Sequence, residues 1–186
     1  RAYIANNVIY NPKRRAIHAS WPEDEYREHP DSLRPAKIAA VGNVLIPGPD
    51  TPTDFWMIFG KIEAYHQDNM ITPNAADTKG ERKRRIVNNQ VRILTESPVP
   101  EPSYRPILSA GTAAAVLTNA GARPAQRDAI DSRLTGEVKT GTGRVIDSQD
   151  DAEGYPSYQS ERRALDIPDS GIEKWLDRLA TALLNQ

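Results

Sequence analysis

Four short apolar runs, each broken by asparagine, set the strongest constraint on this chain. Ile4, Val8 and Ile9 surround Asn6-Asn7, and Ile38, Val41, Val44, Leu45 and Ile46 surround Asn43. Ile62 and Ala64 lead to Asn69-Met70-Ile71, and Ile86-Val87 leads to Asn88-Asn89 with Val91 and Ile93 beyond. Each unit reads as a β-branched strand that reaches an asparagine and resumes as apolar sequence, the pattern of one coil of a β-solenoid. Asparagines 7, 43, 69 and 89 are spaced by 36, 26 and 20 residues. That irregularity suits a parallel β-helix, because a propeller or helical repeat holds its period more strictly and the 3.6-residue spacing of helices is missing here. Asparagine tolerates the left-handed backbone that bends a strand, and its amide can bond to the amide in the next coil. Ile4, Val8, Val44, Ile46, Ile62, Ile86 and Val91 are expected to point into one core, with strands that never reverse.

Between the first two units lies an excursion. Lys13-Arg14-Arg15 and His18 lead into Ser20-Trp21-Pro22 and the acidic residues Glu23, Asp24, Glu25 and Glu28, which read as a solvated face. Ile46 to Pro52 is turn chemistry. Asp54 to Glu63, DFWMIFGKIE, is the most apolar run and reads as a buried strand bent at Gly60, with Trp56 and Phe59 expected in the core or an aromatic stack rather than as sugar platforms. Lys79 to Arg85 is a basic run entering the fourth unit, either a charged strand edge or an anion-facing patch.

Residues 1–95 are therefore expected to form the coils, and 96–186 an extended linker and helical segment that packs back on them. The linker is Ser97 to Pro102; helices follow at Ala113–Ala120, Pro124–Val138 and Ile172–Leu184. Ile172, Trp175, Leu176, Leu179 and Leu183 make a stripe suited to packing on a coil or capping the stack. With 15 prolines and only 38% hydrophobic residues, much of the 186-residue chain must be loop around a modest core. Basic (24) and acidic (25) residues nearly cancel, so net charge points to no nucleic-acid partner. No apolar run approaches the roughly 20 residues needed to cross a bilayer, and the absence of cysteine excludes disulfides and thiolate metal sites.

RAYIANNVIYNP, VGNVLIPGPDT and AGARPAQRDAIDSRLTGEVKTGTGRVIDSQDDAEGYP together resemble the pectate lyases, right-handed parallel β-helix enzymes of polysaccharide lyase family one. The last segment is the most specific, although Glu153 stands where the family more often has a glycine. The resemblance implies a secreted enzyme that cleaves polygalacturonate by β-elimination. An arginine would take the proton next to a uronate carboxylate, while calcium held by aspartates and glutamates neutralises the carboxylate. In the family both sets precede the coil matching Arg1 to Pro12. This chain is thus expected to be the C-terminal half, with the N-terminal half a separate chain or a lost segment. A coil that opens without a polar cap points the same way. No catalytic residue and no metal ligand is assigned within it; calcium belongs to the complete enzyme.

Arg14, Arg15 and His18, just after the first coil, are the candidate substrate-binding residues, since arginine forks pair with the carboxylates of a polyuronate. Lys83, Arg84 and Arg85 are expected three coils away. A non-catalytic β-solenoid that binds an acidic polysaccharide through the same arginines is the alternative. His18, His29 and His66 form no hydrolase triad.

Overall fold

The computed structural model describes residues 1–19, 24, 27–29, 34–73, 83–152, 154–155 and 167–184. Among the described residues, ten short strands lie in three parallel sheets. They are β1 (Ala2–Ala5), β2 (Val8–Tyr10), β3 (Ile17–His18), β4 (Lys37–Val41), β5 (Val44–Ile46), β6 (Asp54–Phe59), β7 (Glu63–Gln67), β8 (Met70–Ile71), β9 (Lys83–Val87) and β10 (Arg92–Ile93). The first sheet has the order β1-β4-β7-β10, the second β2-β5-β8 and the third β3-β6-β9. The chain visits the sheets in rotation, and every strand pair is parallel, as expected for residues 1–95. Asp54 to Glu63 is not one strand. Gly60 divides it, sending β6 to the third sheet and β7 to the first.

Asparagine holds the passes in register. Asn7 donates its backbone and side-chain N–H to Asn43 Oδ1 at 3.0 and 2.9 Å, and Asn43 does the same to Asn69 Oδ1 at 3.1 and 2.9 Å. The left-handed residue is the one before: Asn6, Gly42 and Asp68, with φ of 51°, 63° and 50°. One residue therefore bends the chain and the next builds the ladder, two tasks the sequence pattern had merged. The fourth unit is out of phase. Asn88 follows β9, at the corner between the third and first sheets, and its side chain accepts from Gln90 N–H at 2.9 Å within its own turn.

The core is lined by Ile38, Ala40, Leu45, Phe55, Met57, Ile58, Ile62 and Ala64. Ile4 and Ile86 pack against it half-buried, and Ile62 and Val91 are buried in it as expected. The second sheet differs by one position: Ile9, Leu45 and Ile71, which are register partners, join the core. Val8, Val44 and Ile46 belong to the opposite face, because side chains alternate along a strand and the two-residue corner sets the phase. α1 (Ser109–Asn119) packs against β2 and β5, and Val44 is fully buried.

α1 begins four residues before the expected Ala113, since Asp68 accepts from Ser109 N–H and Oγ–H at 2.7 and 2.9 Å and caps the helix from another part of the chain. The second expected helix is a 3-10 turn, Pro124–Gln126, followed by α2 (Ala129–Thr140), which Asp128 caps and left-handed Gly141 ends. These elements belong to a compact unit, Arg1–Val145; the second unit, Ile146–Gln186, contains α3 (Ile172–Leu184), where Ile172, Leu176 and Leu179 are 49, 52 and 43% exposed.

Asn43 is fully buried and joins both neighbouring passes, and its Nδ2 also reaches Ile4 O at 2.9 Å. Asn43→Ala removes the side-chain partner of Asn7, Asn69 and Ile4 and is expected to destabilise unit 1 by about 3 kcal/mol. Exposed Asn89→Ala should change stability by no more than about 0.5 kcal/mol. Urea denaturation of the two variants checks this, and equal losses would contradict a ladder confined to three asparagines.

Candidate functional site

The third sheet carries a line of cationic and aromatic side chains on its outer face. In β6, Phe55, Met57 and Ile58 are buried, while Trp56 and Phe59 are only half-buried. Of the two expected placements, core is corrected and a packed aromatic pair is what forms: the burial alternation slips at the adjacent pair Met57-Ile58, leaving Phe59 on the same face as Trp56. Their rings lie 6.2 Å apart, tilted by 52°. His18, the register partner of Phe59, has its ring 5.7 Å from that of Phe59. The Arg15 guanidinium sits 4.3 Å over the Phe59 ring and donates to His18 Nε2 at 2.7 Å. Across β6, Arg85 pairs in register with Trp56, lies 5.9 Å over its ring, and meets Asp54 at 3.6 Å. A continuous row results: Arg15, His18, Phe59, Trp56, Arg85, Asp54.

Two of the three expected binding residues, Arg15 and His18, are therefore brought together. Arg14 is exposed and takes no part in the row among the described residues. Lys83 to Arg85 do not lie three passes from Arg15. β3 and β9 flank β6, so the two basic groups are two strand spacings apart, roughly 10 Å. Counting asparagines overstated the separation because β9 closes the pass that begins with β7. Lys79, Arg82, Trp21, Glu23 and Glu25 lie outside the described residues, as do Glu153 and Pro156 of the most specific C-terminal segment.

Guanidinium over an aromatic face adds attraction at little cost in solvation, and it holds a fork of donors at a fixed place on the wall. The half-buried rings between the two arginines offer flat apolar surface. Such a row suits an extended ligand with both anionic groups and apolar ring faces.

Glu63 and Asp50 are each tied to neighbours of their own. Glu63 is held between Lys37 at 2.9 Å and Arg92 at 2.6 Å, and hydrogen bonding to Lys37 leads the effects that keep its carboxyl below the usual range. Asp50 accepts from Val145 N–H and Asn11, which also hold it below its usual value. Among the described residues, no three His, Asp or Glu side chains converge to hold a metal ion.

Partial burial, and secondarily Arg15, holds the His18 imidazole below its ordinary value of 6.5. A depressed histidine favours the neutral form in the fold, so its contribution to stability is complete above about 6.5 and is lost as pH falls below that value. The ring-proton NMR midpoint of His18 is expected below 6.5, moving up in Arg15→Ala. A midpoint at or above the free value, unmoved by the variant, would contradict the contact.

Compared with known proteins, the chain matches no protein-family model, no curated protein and no solved structure.

Proposed function

We propose that this chain forms later coils of a right-handed parallel β-helix that acts on a polygalacturonate-type polysaccharide by β-elimination, with the polymer lying along the third sheet. The row from Arg15 to Arg85 carries the reading. A polyuronate presents a carboxylate on each sugar and an apolar face on each ring, and the row offers guanidinium donors at both ends with Phe59 and Trp56 between them. The lyase part rests on the sequence resemblance, and it places the proton-abstracting arginine and the calcium ligands in residues preceding Arg1. Secretion follows from the same resemblance.

Isothermal titration with trigalacturonate is expected to show salt-sensitive binding that weakens about tenfold in Arg15→Ala and in Trp56→Ala, the loss of one charge-assisted or stacking contact. Arg14→Ala should change it little. In a longer polypeptide that includes the residues preceding Arg1, unsaturated uronate should form, followed by absorbance of the new double bond. Binding without elimination there would select the non-catalytic acidic-glycan reading; no effect of Arg15→Ala or Trp56→Ala at any salt concentration would remove the row from both.

A further inference from the structure

A second concave surface lies on the outer face of the first sheet, under the extended segment 101–108. Its cavity is about 580 Å³, and its walls include Tyr3, Val41, Gln67, Glu101, Tyr104 and Arg105. We infer that this groove is a binding site for a neutral saccharide, independent of the Arg15–Arg85 row.

The groove is preformed. At one end Ile107 N–H donates to Asn6 Oδ1 at 3.0 Å and its carbonyl accepts from Asn6 Nδ2 at 2.8 Å, while Ser109 is tied to Asp68 at 2.7 and 2.9 Å. Pro102 and Pro106 bracket Ser103-Tyr104-Arg105 and fix two of its backbone angles. A ligand entering here meets walls that are already set, which lowers the ordering cost of binding. The volume lies within the range of small-molecule sites.

The chemistry selects the ligand class. Asp68 keeps its negative charge while accepting from Ser109, so Asp68 and Glu101 against Arg105 leave the lining net acidic. No net attraction for a polyanion results, in contrast to the third sheet. What remains is aromatic surface with short-range polar groups. Gln67 Oε1 accepts from Tyr65 Oη at 2.9 Å, which turns its amide N–H groups to other partners. Tyr3 stays a protonated donor, its pKa raised above 10.0 by burial first and then by Glu101, Tyr104 and Tyr65. Tyr104 is 56% exposed at the rim. A sugar ring has an apolar C–H face for the tyrosines and equatorial hydroxyls for amide, carboxylate and guanidinium, which are the two kinds of surface present.

The test is NMR titration of the labelled chain with lactose, cellobiose, trigalacturonate and tetramethylammonium. A neutral disaccharide is expected to shift Tyr3, Gln67 and Tyr104 saturably at millimolar concentration, with little dependence on salt. Tyr104→Ala should weaken this at least about tenfold, Tyr104→Phe should retain most of it, and Arg15→Ala should leave it unchanged. Because Tyr104 is half exposed, its replacement should keep the fold, checked by unchanged shifts in the three sheets. The site is overturned if neither disaccharide produces saturable shifts, if Tyr104→Ala binds as well as the parent, if Arg15→Ala abolishes the effect, or if only tetramethylammonium binds. Trigalacturonate at the Arg15 row reads out separately, so failure of one site does not mimic failure of the other.

Discussion

The asparagine amide ladder through buried Asn43 is the interaction on which the rest of this structure depends. Parallel strands of two to six residues have few backbone bonds each, and none can be linked to its partner by a hairpin. Register must come from elsewhere. Asn43, inaccessible to solvent, can satisfy its amide only if Asn7 and Asn69 stand directly beside it, so the corner becomes a position that cannot slip. A slip of one residue would bury unpaired amides and also turn each apolar face outward. The charged row Lys37, Glu63 and Arg92 repeats the device across β4, β7 and β10, again joining residues that are register partners.

Fixing the register fixes what faces out. Three passes of 36, 26 and 29 residues put unrelated stretches side by side, so Arg15, Phe59 and Arg85 become neighbours although they are far apart in the chain. The same register sets Val41 beside Gln67 and brings Tyr3 from the neighbouring strand, and so builds one wall of the groove under residues 101–108. Two surfaces of different electrostatic character thus arise on different sheets of one winding: cationic and aromatic on the third, mildly acidic and aromatic on the first.

The asparagine-centred pattern was enough to expect parallel winding over residues 1–95, because apolar runs broken at an asparagine have few other uses. Its fourth member was misleading. Asn88-Asn89 looks like Asn6-Asn7 in sequence but turns a different corner, and only strand pairing distinguishes them. The placement of Val8, Val44 and Ile46 was hidden for a related reason: in three-residue strands flanked by apolar residues, both alternation phases fit. The site was half legible. Arg15 and His18 stood out as a basic cluster, whereas Trp56 and Phe59 sit in the most apolar run of the chain, where an aromatic reads as core. What exposes them is the loss of alternation at Met57-Ile58, a signal that needs burial to be seen.

Gly60 links the winding to the row. Its φ is +120°, and a Cβ there would lie 1.9 Å from Ala19 O, so no other residue lets β6 end this close to the end of β3. That approach allows Ala19 N–H to reach Phe59 O at 3.3 Å and leaves His18 alongside the Phe59 ring. A side chain at position 60 would have to push β3 outward, and Arg15, anchored on both His18 and Phe59, would move with it. The left-handed corners and the ladder set which strands meet; this one glycine sets how closely the β3 end of the row is held. The geometry of the wall therefore depends on a residue that contributes no atom to its outer surface.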